Sequence, residues 1–330
     1  MKRLIITSVT FLLAFAGCRS SRPVTMIDGF AQGTTYHFVL ITSDTVGLMD
    51  QVDSVFAAAD NSMSIYNDSS LLSRLNRNET DSVDAMIGRC IDVAQLTPRA
   101  SDGMYDITVM PLTRAWGFAA RGQSGEPDLD SLLQFVGIDK ISVRRGRLVK
   151  ADPRVMIDLN SIAKGYTCDL MGDLMEQRGV DDYMIEIGGE IVARGRNQQG
   201  KPWRIGIDKP YDGNFTPGAE LQVVLGITDK ALATSGNYRK FHTDTKGNKV
   251  VHTIDPKTGR ATAGNMLSAT VIAPTCILAD AYGTMLMVLG MEKSIEFLEQ
   301  NPDVLGYLIY SDPSGMMHTW MSPGLEKMVQ

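Results

Sequence analysis

Strand-length apolar runs and helix-spaced apolar patterns interleave along this chain, without the regular strand–helix–strand alternation that a parallel sheet requires. Residues 35–40, 183–187, 190–194, 203–207, 221–227, 267–272 and 307–309 carry strand patterning. Residues 141–143 and 147–149 read as two strands joined by the tight turn Arg144-Arg145-Gly146. Residues 48–63, 70–75, 83–96, 127–135, 162–177, 278–289 and 293–299 carry helical spacing. Ser161 is placed to cap the helix at 162, and Gly179 lies just past its end. The predicted fold class is therefore α+β, with mixed or antiparallel sheets and packed helices. At 330 residues and 44% hydrophobic, the chain buries roughly three quarters of its unfolded surface and needs no disulfide or metal staple to fold. No linker composition or internal repeat divides it.

The N-terminus reads as an address. Met1-Lys2-Arg3 is positive, residues 4–16 are apolar and uncharged, and Ala16-Gly17-Cys18 precedes the polar run Arg19-Ser20-Ser21-Arg22. That is the layout of a secretory signal, and its apolar stretch is shorter than the roughly 20 residues of a membrane span. Ala16-Gly17-Cys18 is similar to a bacterial lipobox, although Phe15 stands where an aliphatic residue is usual. The expectation is a signal peptide over 1–17, lipidation of Cys18 with palmitate-type chains, a tether over 18–26, and one domain over 27–325 in the bacterial cell envelope. That domain is then lipid-anchored and faces the periplasm. The formal charge of −6 argues against a nucleic-acid partner. Cys90 and Cys168 occupy helical apolar positions and read as small buried hydrophobes.

Four segments interrupt core-like runs with polar residues and glycine. Residues 101–108, Ser-Asp-Gly-Met-Tyr-Asp-Ile-Thr, read as an exposed turn able to hold a polar ligand or simply to connect helices. Residues 157–166 carry a short strand into a helix start at which free N–H groups attract anions, with Lys164 adding charge; a phosphate cradle and an ordinary capped helix fit equally. His252 precedes the turn Asp255-Pro256-Lys257-Thr258-Gly259 and shares the facing of Ile254. Asp280 and Thr284 are one helical turn apart, two hard oxygen donors suited to Mg²⁺; the plainer alternative is an acid near a helix start, favoured by the dipole.

Taken together and in order, these segments resemble the ApbE-type flavin transferases. The resemblance rests on Gly33-Thr34-Thr35-Tyr36, Met63-Ser64-Ile65-Tyr66 with Ser70 and Asn76, residues 102–108 ending in Trp116-Gly117-Phe118, and residues 158–165. It continues through Ile187-Gly188-Gly189-Glu190, Thr234-Ser235-Gly236-Asn237-Tyr238, residues 252–259 and residues 279–284. It implies Mg²⁺-dependent transfer of FMN from FAD to a Thr or Ser hydroxyl of an acceptor flavoprotein, with release of AMP. It also implies roles. The metal ligands correspond to Asp280, Thr284 and the carbonyl of Ser161. Flavin-nucleotide contacts correspond to Gln32, Tyr66, Met104, Tyr105, Asp106, Asp158, Lys164 and Ile254, and the base corresponds to His252. Gln32 departs from the family's usual Met, and Gly283 stands where some members carry a second carboxylate. Mg²⁺-dependent hydrolysis of FAD to FMN and AMP, and non-catalytic FAD binding by a lipoprotein, are the competing readings.

Overall fold

The computed structural model describes residues 22–119, 127–211, 218–237, 241–243, 249–262 and 264–330. The signal segment, residues 18–21 of the proposed tether including Cys18, and Tyr238 lie outside these. Strands β1 (Thr25–Ala31) and β2 (Thr34–Leu40) form a hairpin, followed by helices α1 (Leu48–Met63), α2 (Leu71–Asn76), α3 (Ala85–Ser101), α4 (Met110–Ala115) and α5 (Leu129–Leu133). The small hairpin β3 (Ile141–Arg144) and β4 (Arg147–Lys150) leads to α6 (Ala163–Gln177), then β5 (Tyr183–Ile187), β6 (Glu190–Arg194), β7 (Trp203–Asp208), β8 (Leu221–Ile227) and β9 (Lys230–Gly236). The chain closes with β10 (Phe241–Thr243), β11 (Lys249–Val251), β12 (Met266–Ala273), α7 (Cys276–Leu289), α8 (Met291–Gln300), β13 (Leu305–Ser311) and β14 (Met317–Met321).

Eight strands form one sheet in the order β1-β2-β5-β6-β9-β12-β13-β14, and every pairing in it is antiparallel. The expected α+β class with antiparallel sheet is what the chain adopts. Both faces of the sheet are covered. Val192 and Ala231 pack with α1 and with Cys168, Met171 and Met175 of α6. Their strand neighbours Ile191, Ala193 and Leu232 turn to the other face, onto Trp203, Ile205 and Leu225 of the β7–β8 ribbon. This two-residue alternation between two buried faces explains why β12 is apolar almost throughout.

Three expectations need correction. Strand β9, Lys-Ala-Leu-Ala-Thr-Ser-Gly, has little β propensity and was not anticipated, yet it lies at the sheet centre. Its small side chains admit α7: Ala233 packs in one cluster with Ala269, Ala279 and Ala281. Residues 317–321, given no element from sequence, form an edge strand, β14, with its residues only partly covered. Ser161 does not cap α6; the helix begins at Ala163 with Ile162 at the cap position and no side-chain cap. The remaining cysteines, Cys90, Cys168 and Cys276, are free and buried, as their apolar setting implies, and burial pushes the Cys90 thiol well up.

Candidate active site

Hairpin turns and one buried amide aim the site residues. Asn76 grips the backbone on both sides of Ile157: its Oδ1 accepts from Ile157 N at 2.8 Å and its Nδ2 donates to Ile157 O at 2.8 Å. This clamp fixes the extended segment that delivers Asp158, not a strand as the sequence suggests; Asp158 is buried and accepts from Asn160 N at 3.0 Å and Thr113 Oγ1 at 3.1 Å. The β5–β6 turn is Gly188-Gly189, both with positive φ. A Cβ on Gly188 would lie 2.7 Å from Thr34 Cγ2, so glycine is required there, and the turn presents Glu190 at the start of β6.

The loop bearing His252 is pinned from three sides. Asp255 O accepts from Gly259 N at 2.8 Å to close the turn, Lys257 Nζ reaches Asp102 Oδ2 at 2.8 Å, and Trp116 Nε1 donates to Gly259 O at 2.8 Å. His252 itself lies edge-on to Phe118, with ring centroids 6.3 Å apart.

Helices α6 and α7 cross with unusual closeness. A Cβ on Gly165 would lie 2.4 Å from the carbonyl oxygen of Cys276 and 2.7 Å from Asp280 Cβ. At that crossing Gly165 N donates to Asp280 Oδ2 at 2.9 Å. One N–H at the start of α6 therefore holds an internal carboxylate. Asp280 is thus placed against the positive end of α6, a neighbouring helix to its own. Asp169 of α6 returns the favour: its Oδ1 and Oδ2 accept from Cys276 N at 2.8 Å and Ile277 N at 2.9 Å, capping α7.

These elements enclose a cavity of about 240 Å³. Of the residues singled out from sequence among those described, Tyr66, Met104, Tyr105, Asp106, Asp158, Ser161, Lys164, His252, Ile254, Asp280 and Thr284 all line it. Gln32 does not. Gln32 forms the β1–β2 turn with φ 52°, donates Nε2 to Thr167 Oγ1 at 2.9 Å, and keeps Oε1 buried without a partner among the described residues; its role here is to fasten the hairpin tip to α6. Residues 101–108 are not an exposed turn either: Tyr105, Ile107 and Thr108 are buried. The Asp106 carboxylate is spent on the protein, accepting from Thr108 N at 2.7 Å, Thr108 Oγ1 at 2.6 Å and Ile138 N at 2.7 Å. A ligand would meet this residue through its backbone.

Tyr66 is 62% exposed at the rim. Tyr105 Oη and Ser161 Oγ are 3.0 Å apart, and Thr284 Oγ1 lies 3.4 Å from Ser235 Oγ. A Cβ on Gly283 would stand 3.0 Å from the same Ser235 oxygen, so position 283 has no room for a carboxylate unless Ser235 gives way. Among the lining residues that carried no assigned role from sequence are Glu190 and Ser235. Lys164 Nζ sits 2.5 Å from Glu190 Oε1. Burial opposes charge on Lys164, but the Glu190 and Asp280 carboxylates outweigh it and its pKa is raised. Burial pushes Glu190 and Asp280 up, and Lys164 pulls both back.

The donors on one side of this cavity are the Asp280 carboxylate, the Thr284 hydroxyl and the oxygens of Ser161, a hard all-oxygen set that fits Mg²⁺ better than a softer ion. The sequence profile of the ApbE family matches residues 32–309. The chain belongs to the ApbE family. It is 35% identical to the FAD:protein FMN transferase of Haemophilus influenzae over 100% of this chain and 99% of that protein. To the Escherichia coli protein of the same name it is 32% identical, over 94% and 93% of the two chains. The flavin transferase ApbE from Vibrio cholerae superposes with a TM-score of 0.82 at 30% identity, covering 93% of this chain and 100% of that one.

Proposed function

We propose that this protein transfers FMN from FAD to a Thr or Ser hydroxyl of an acceptor flavoprotein, in a magnesium-dependent reaction that releases AMP. The observation that carries this reading is the meeting, in one cavity, of the hard donors Asp280 and Thr284 with His252 and the aromatic rim residue Tyr66. The names of the relatives support the same activity.

When bound, Mg²⁺ supplies neutralisation of the pyrophosphate's charge. Asp280, Thr284 and the Ser161 carbonyl would hold it, with Gly165 N–H keeping Asp280 in place. Tyr66 offers an open ring face for stacking a flavin or adenine, and Asp158, Lys164, Ile254 and the 104–106 backbone line the remaining walls. The acceptor oxygen forms a bond to the phosphorus of the FMN half, the bond between the two phosphates breaks, and AMP leaves. The hydroxyl's proton passes to a ring nitrogen of His252, which acts as the general base.

The reading extends to lipid anchorage at Cys18 and an extracytoplasmic location, supported by the layout of residues 1–22; among the described residues no helix is long and apolar enough to cross a membrane. The test of the metal assignment is AMP release by Asp280→Ala. Loss of both activity and magnesium dependence is expected. Retained, magnesium-stimulated release in that variant would remove Asp280 from the metal site.

A further inference from the structure

Glu190 lines the cavity, yet the roles assigned above leave it unused. It is 3% exposed. One oxygen takes Lys164 at 2.5 Å; the other, Oε2, is buried without a partner among the described residues. A buried carboxylate with half its acceptor capacity idle is costly to the fold, which asks for a reason beyond folding.

The position of Lys164 supplies one. It directly precedes Gly165, whose N–H holds Asp280, it lines the same cavity as Asp280, and its charge acts on that carboxylate, so an ammonium shares the site of the group that would ligate a divalent cation. Alone, that ammonium would repel the cation and compete for Asp280. With Glu190 present the formal charges are +1 for Lys164, −1 for Glu190 and −1 for Asp280, leaving −1 at the site. Without Glu190 they cancel to zero.

We infer that Glu190 is a charge-balancing residue of the metal site, a positioning residue that holds Lys164 as its ion-pair partner so that Asp280 stays available to a divalent cation. The inference rests on the proposed magnesium dependence and is tested apart from catalysis. Mg²⁺ is titrated calorimetrically into the full chain without FAD, with folding checked by circular dichroism. Glu190→Gln is expected to bind about tenfold more weakly and Lys164→Met about tenfold more tightly. The double variant Lys164→Met/Glu190→Gln is expected within about threefold of the unaltered protein, since each change offsets the other's charge.

Unchanged binding in Glu190→Gln overturns the inference. So does a double variant as weak as Glu190→Gln, which would make Glu190 a direct ligand. Should Glu190→Gln fail to fold, the remaining pair decides: Lys164→Met must bind more tightly than the double variant, and equal affinities overturn the idea. If the unaltered protein binds no Mg²⁺, the metal reading itself falls and takes this inference with it, a pattern distinct from the others.

Discussion

Gly165→Ala tests how the site is held together. Within a helix, alanine is ordinarily favoured over glycine by about 1 kcal/mol, so propensity alone predicts a more stable protein. The crossing of α6 and α7 predicts the reverse. The new Cβ would lie 2.4 Å from the Cys276 carbonyl oxygen, a backbone atom that no rotamer change can move. Ordinary contact begins near 3.4 Å, so α7 must retreat by about 1 Å. That retreat stretches the Gly165 N–Asp280 Oδ2 bond from 2.9 Å to about 3.9 Å and breaks it. Overpacking costs about 1–3 kcal/mol and a lost hydrogen bond to a buried charge about 1.5–3. After the propensity gain the net loss is about 1.5–5 kcal/mol. Urea unfolding followed by circular dichroism reads the stability, and AMP release from FAD reads the displacement of Asp280, which should abolish turnover. Gly172→Ala in the same helix is the control. Its Cβ meets Tyr183, with Oη at 3.0 Å and two ring carbons at 3.7 Å, so that side chain has to give by only a few tenths of an ångström, and a smaller cost than at position 165 is expected. A Gly165→Ala protein as stable as its parent, with full activity, would refute the reasoning.

Further outcomes follow from the same geometry. His252→Ala should lower FMN transfer by about 10²–10⁴-fold while leaving FAD affinity nearly intact by fluorescence titration; an equal loss of both would make His252 structural. Tyr66→Ala should mainly raise the FAD dissociation constant, by about tenfold for a lost stacking contact, with Tyr66→Phe close to unaltered; no change in Tyr66→Ala would remove the stacking role. Burial raises the Asp169 carboxyl to about 6, against the α7 N–H groups it accepts from. Its unfolded value is about 3.9, so the folded state holds the proton more tightly between the two. Stability from this group is present below pH 4 and is lost as pH rises to 6, by about 1–3 kcal/mol. Urea midpoints across pH 4–7 should show that decline, and Asp169→Asn should flatten it. A slope unchanged by the substitution would assign it to other groups.

Much of this was legible in the sequence because local signals and tertiary needs agreed. β5, β6 and β8 begin and end where apolar alternation does, and Ser70 caps α2 as its residue type suggests, accepting from Ser73 N at 3.0 Å. Where the two disagreed, packing won. β9 is a central strand in spite of its composition, because α7 needs small residues beneath it. Glycine at 165 looked like part of an anion-binding loop and is also a contact point between helices. Asp106 looked exposed as part of a turn over 101–108, and its carboxylate is consumed by Thr108 and by the Ile138 N–H that only the fold brings to it. Gln32 looked like a flavin contact by position and fastens a hairpin. Glu190 was visible only as the end of the Ile187-Gly188-Gly189-Glu190 motif and carried no role, since its meaning lies in Lys164, 26 positions earlier in the chain, and their pairing exists only once β6 is laid beside α6.

The central claim is that one cavity joins FAD cleavage to modification of a protein hydroxyl. It is tested most directly by incubating the protein with FAD, magnesium and an acceptor flavoprotein, and measuring AMP and covalently bound flavin together. The account predicts AMP and acceptor-bound FMN in equal amounts, neither appearing without acceptor nor in EDTA. AMP formed as fast without acceptor would mean that water takes the place of the hydroxyl, and AMP formed as fast in EDTA would contradict the metal's place in the site.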